Sequence, residues 1–180
     1  MTGRDKLFIL DNSNSQLNQN IHKALRIYGR AALHCLNDPE IAGLLREFRD
    51  LIRETDSVLL ESGVVLACTK CACEKGSCCF GEMGESYGTM GLLVNLLLGS
   101  KLPDKEDFPE SCRFVGAAGC KLAARESFCL NYFCPGLKAF LGEEKIIKIK
   151  RQVGEQLFAG WKLELALARC IIEADTVEYV

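Results

Sequence analysis

Eleven cysteines and only two histidines stand in 180 residues. Five of the cysteines fall within twelve positions, in the stretch CTKCACEKGSCC from Cys68 to Cys79. Cys68 and Cys71 have the two-residue spacing that lets two thiolates turn toward one soft metal ion. Cys73, Cys78 and Cys79 complete this group, and adjacent side chains such as Cys78 and Cys79 are expected to diverge toward different atoms. A second group follows as Cys112, Cys120, Cys129 and Cys134. Cys35 and Cys170 stand apart on amphipathic helical patterns and read as buried core thiols. Four or more thiols in each of two groups point to soft-metal ligation, with all-sulfur donors since histidine is scarce. Iron–sulfur clusters use four thiolates, and so do structural zinc sites. The reading favours an iron–sulfur cluster, a 4Fe–4S centre first, with zinc as the alternative.

Composition narrows the setting. The formal net charge is -2 without a long Lys or Arg run, which argues against nucleic-acid backbone binding. The apolar run GLLVNLLLG is too short to span a bilayer, so no membrane is expected. The opening MTGRDKLFILDNSNSQ does not read as a signal peptide, and the expected location is cytoplasmic. A reducing cytosol disfavours disulfides, and an odd cysteine count leaves one sulfur over in a full disulfide framework.

The elements that must carry these thiols read as mainly α, in one domain. Apolar residues at 17, 21, 24, 25, 28, 32 and 35 describe one helix, and Ile41, Leu44, Leu45, Phe48, Leu51 and Ile52 a second. Asp38 is a cap for the second helix, with Pro39 in its first turn. Together 17–62 form a helical hairpin. Residues 64–142 are an irregular cysteine region, with a short helix in SYGTMGLLVNLLLG, a loop in SKLPDKEDFPES and a short helix carrying Cys129. A long helix over 143–175 buries Ile149, Val153, Leu157, Trp161, Leu165, Ala168 and Ile172, with Gly154 and Gly160 allowing a close helix contact. The helices are expected to pack around the cysteine region, which metal–sulfur bonds would order.

With those residues in view, the chain resembles the YkgJ-like CxxCxxCC family, described as a zinc- or iron-chelating cysteine-cluster domain. Cys68, Cys71, Cys78 and Cys79 match its first group. Cys112, Phe114, Cys120, Arg125, Cys129, Tyr132 and Cys134 match its second. The resemblance covers Cys68 to Pro135 and implies metal ligation by Cys68, Cys71, Cys78, Cys79, Cys112, Cys120, Cys129 and Cys134. The gap after Cys71 is stretched and holds Cys73, which can stand in for Cys71. Glu126, Leu130 and Phe133 replace the family's usual proline, arginine and proline.

The remaining candidates are weaker. His22 and His34 read as surface residues of the first helix. GEMGESYGTMG lacks the lysine of a phosphate loop and any βαβ setting, so it reads as a flexible loop beside the cysteines. Glu61, Glu74, Glu82 and Glu85 read as solvated carboxylates, while Lys70, Lys75 and Arg113 can offset thiolate charge. The expected role is electron transfer, sensing or metal-dependent modification of a protein partner. The alternatives are a structural zinc module for protein interaction and an enzyme like the flagellin lysine methylases.

Overall fold

The computed structural model describes residues 15–75 and 78–177, without the side chains of 71–75 and 174–177. The chain is mainly helical, with one small two-stranded sheet among the described residues. Helix α1 spans Gln16–Asn37 and α2 spans Pro39–Glu61. Ser15 opens α1 by accepting from the Asn18 N–H, and Asp38 opens α2 by accepting from the N–H groups of Glu40 and Ile41 at 2.8 and 3.1 Å. These side chains satisfy donors that the first helical turn leaves unpaired.

Helix α6 spans Pro135–Val177 and lies antiparallel against α2. Lys162 pairs with Glu47, Arg169 with Glu40, and Gln152 with Glu54, so rising α2 numbers meet falling α6 numbers. Such exposed pairs set register more than stability. The helical backbone breaks at Gly142, whose φ of 73° and ψ of 167° suit only glycine. Its long uninterrupted stretch therefore begins at Glu143.

The buried face of that stretch differs from the expected ladder. Ile149 and Val153 are buried, but Trp161, Leu165 and Ile172 are 56%, 48% and 65% exposed. Gln156, Ala159, Leu163, Ala166, Leu167 and Cys170 are buried in their place. The reason is geometric. A helix turns about 100° per residue, so each step of four drifts about 40°. Four such steps from Ile149 carry the ladder about 160° round, to the outer face at Leu165. Gly160 does serve a close contact, since a Cβ there would meet the Phe48 ring at 3.1 Å. Gly154 meets nothing.

Helix α4, Thr89–Leu97, fills the space between α1 and α6. Leu92, Leu93, Val94 and Leu97 are buried in one core with residues of α1, α2 and α6. A second core joins Leu59, Leu130, Phe133, Leu137, Leu141, Ile149 and Val153. Apolar α4 occupies the centre of the first core, with Cys112 buried in it and Cys79 packed against it, while Cys68, Cys78, Cys120 and Cys129 are exposed. Apolar α4 gains more from burial than polar loops do. Cys35 and Cys170 are buried as expected, but they are joined in a disulfide between α1 and α6.

Candidate metal centre

Helix α3 spans Val64–Lys75, so Cys68 lies on a helix and not in a loop. Cys71 and Cys73 lie in the same helix, where the side chains are outside the described residues. The choice between them as a ligand falls there too.

The two cysteine groups are stitched together by backbone pairing. The Cys112 N–H donates to the Cys79 carbonyl at 2.8 Å, and the Gly81 N–H donates to the Glu110 carbonyl at 3.0 Å. Phe80 and Ser111 form the antiparallel bridge between them. A hairpin follows. Strands β1, Val115–Gly116, and β2, Gly119–Cys120, pair with Val115 opposite Cys120. The Lys121 N–H adds a bond to the Phe114 carbonyl at 2.7 Å, returning Cys120 toward the Cys112 strand. Helix α5, Ser127–Asn131, then carries Cys129.

Helix α4 anchors this layer through one buried amide. Asn95, 1% exposed, donates from Nδ2 to the Ala124 carbonyl and accepts at Oδ1 from the Ala124 N–H, both at 2.9 Å. The segment between Cys120 and Cys129 is thereby fixed to the core. Tyr87 adds a second anchor, because its hydroxyl accepts from the Glu126 N–H at 3.2 Å. Its ring is buried edge-on against Phe114, with centroids 4.9 Å apart. Arg113, also buried, donates to Asn18 Oδ1 at 2.5 Å and ties the Cys112 strand to the start of α1. Arg125 pairs with Asp56 of α2.

Electrostatics groups the thiols. Burial pushes the Cys129 thiol up to about 12, and the charges of Cys120, Cys79, Cys112 and Glu126 push the same way. Burial also raises Cys112 and Cys120, and each is raised further by Cys79. Backbone N–H groups oppose this. Those of Phe114 and Val115 favour the Cys112 thiolate, and that of Leu122 favours the Cys120 thiolate. Cys79, Cys112, Cys120 and Cys129 are thus within electrostatic reach of one another. Cys68 and Cys78 adjoin them through Cys79. Cys78 is held protonated first by a hydrogen bond to the Cys79 side chain, then by burial and by the charges of Cys79 and Cys68.

Cys134 has a different setting. It packs against the second core, and its Sγ accepts from the Leu137 N–H at 3.4 Å at the start of α6. Among the described residues, no three His, Cys, Asp or Glu side chains are close enough together to hold one metal ion. The donor chemistry nevertheless suits a soft metal: neighbouring thiols, with backbone N–H groups already directed at two sulfurs.

Several neighbours depart from expectation. GEMGESYGTMG is not a flexible loop. Gly81–Ser86 is a 3₁₀ helix with Met83 and Gly84 buried, and Tyr87 beyond it is 2% exposed. Glu85 is not merely solvated, because its Oε2 accepts from the Leu17 N–H at 2.9 Å. His22 and His34 are exposed on α1 as expected. Glu126, Tyr87 and Asn95 escaped the motif reading. A lone Asn inside GLLVNLLLG was the available signal for Asn95, since a polar residue in an apolar helix needs a partner. Comparison with protein-family models, curated proteins and solved structures finds no match for this chain.

Proposed function

We propose that this chain is a metal-binding cysteine-cluster protein whose thiolates hold an iron–sulfur cluster, with a redox or sensing role toward a protein partner. The observation that carries the reading is the backbone pairing of Cys79 with Cys112, which joins two cysteine groups far apart in sequence. Cys79, Cys112, Cys120 and Cys129 are the first ligands proposed, and Cys68 and Cys78 adjoin them. When bound, the cluster would supply one-electron chemistry. The chain's own residues lower the cost of thiolate charge: Phe114, Val115 and Leu122 through backbone N–H groups, Arg113 and Arg125 through their charge. Binding requires the thiols to give up their protons and draw together. Zinc on the same sulfurs, in a module for protein interaction, is the second reading. It is favoured by the N–H groups directed at the Cys112 and Cys120 sulfurs, which serve any thiolate-bound ion.

The test is replacement of Cys129 by serine. Cys129→Ser protein is expected to lose most of the bound metal while keeping its helical signal. Metal content equal to that of the wild type removes Cys129 from the site.

A further inference from the structure

Helix α6 buries one face and leaves a second apolar face open. Phe158, Trp161, Leu165, Ala168 and Ile172 follow one another in steps of three, four, three and four residues. On a helix that turns about 100° per residue, this spacing keeps them in one stripe, opposite buried Leu163, Leu167 and Cys170. Phe158, Trp161, Leu165 and Ile172 are 59%, 56%, 48% and 65% exposed. Phe158 and Trp161 stack with ring centroids 5.8 Å apart, and the Lys162 ammonium sits 5.5 Å from the centre of the Phe158 ring. The rings are thereby ordered on the surface before anything covers them. A helix solvated on its outer side carries polar residues there. Alternating steps of three and four apolar residues are instead the seam of a coiled coil, which packs against a second helix.

We propose that this stripe is the contact face of a homodimer, in which α6 of a second copy lies parallel and in register against α6 of the first. Area and charge both favour a second copy. The large side chains present roughly 400–500 Å² of apolar surface, the size of a functional patch on a monomer. Two copies meeting there bury about 900 Å² through these residues alone, and the flanking side chains bring the total to about 1,200 Å², where specific interfaces begin. Trp161, near the middle of the stripe, is of the residue type that dominates interface energies. Charge then sets the direction. In a parallel pair, each flank of the seam meets the opposite flank of the second helix. Lys150 then faces Glu155 of the second copy, and Glu164 faces Arg169 of the second copy, with opposite signs in both pairs. An antiparallel pair would set the flank of Lys162 and Arg169 against itself. Exposed pairs of this kind choose orientation more than they add affinity. The proposal is independent of metal binding, because none of the proposed ligands belongs to the stripe.

The test is sedimentation equilibrium of the full-length protein across the micromolar range. Wild type is expected to pass from one chain to two as concentration rises. Trp161→Glu should raise the dimer dissociation constant on the order of tenfold or more, the scale of a lost aromatic anchor. Its helical signal and thermal midpoint should match wild type, since the side chain lies outside the core. Lys150→Glu and Glu155→Lys should each weaken the dimer, and the two changes together should restore it. Wild type that stays a single chain throughout overturns the proposal and leaves the stripe to a different partner. A dimer untouched by Trp161→Glu overturns it as well. A dimer that responds to Trp161→Glu but ignores both charge reversals overturns the parallel arrangement. A second measurement needs no variant. Trp161 is the single tryptophan of the chain, so its emission should move to shorter wavelength as the dimer forms. An emission maximum that stays in place while chains pair contradicts the proposed contact.

Discussion

The thiol of Cys129 is held up to about 12, so it stays protonated over the whole neutral range in the metal-free protein. An unfolded thiol ionises near 8.5. Because the folded value is the higher, this thiol's contribution to stability is complete below the unfolded value and is lost as pH rises through the folded one. Metal-free protein should therefore lose stability between about pH 9 and pH 12, read as a falling denaturation midpoint. A flat midpoint over that window contradicts the raised Cys129 thiol. Metal binding reverses the preference, since each ligand must shed its proton, so metal affinity should rise with pH. Asn95 makes a different prediction. Asn95→Leu strands the Ala124 N–H and carbonyl and should cost about 1–3 kcal/mol in denaturant unfolding. It should also weaken metal binding, since the 120–129 segment loses its anchor. The cysteines could be found from residue type and spacing alone. Their partners could not, because Tyr87 and Glu126 have no signature apart from the contacts the fold gives them, and a lone Asn95 in an apolar helix signals a partner without naming it.

At the scale of elements, the capped helices were the most legible. Asp38 and Pro39 mark the start of α2 through local chemistry, and local chemistry survives folding. Helix α3 was missed because its hydrophobic signal is weak and its cysteines invite a loop reading. The two-residue strands were missed because so short a hairpin has no alternation to detect. The outer face of α6 was misread because a ladder of fours winds round the helix. Two glycines test the element packing. Gly142→Ala should cost about 1–3 kcal/mol, since its backbone conformation is closed to residues with a Cβ. Gly160→Leu should cost about 1–3 kcal/mol by overpacking against Phe48. Thermal midpoints equal to wild type would contradict the kink at Gly142 or the close approach at Gly160.

At the scale of the whole molecule, a helical frame made of α1, α2, α4 and α6 holds Cys112 in its core and leaves Cys68, Cys78, Cys120 and Cys129 exposed. The Cys35–Cys170 disulfide closes that frame across a sequence separation of 135 residues. Closing a loop of that length limits the unfolded chain by about 5 kcal/mol in the chain-entropy model. Replacing both cysteines by alanine should therefore lower unfolding free energy by about 2–5 kcal/mol. The mainly α class was legible from periodicity, whereas which cysteines are buried depends on which segments bury the most apolar surface. The central claim is that neighbouring thiols of the two cysteine groups hold metal. The most direct measurement is metal and acid-labile sulfide analysis of protein purified without oxygen. The account predicts bound iron with matching sulfide and visible absorption that Cys129→Ser abolishes. Protein that emerges free of iron, sulfide and zinc, and that takes up none of them on reconstitution, would contradict it.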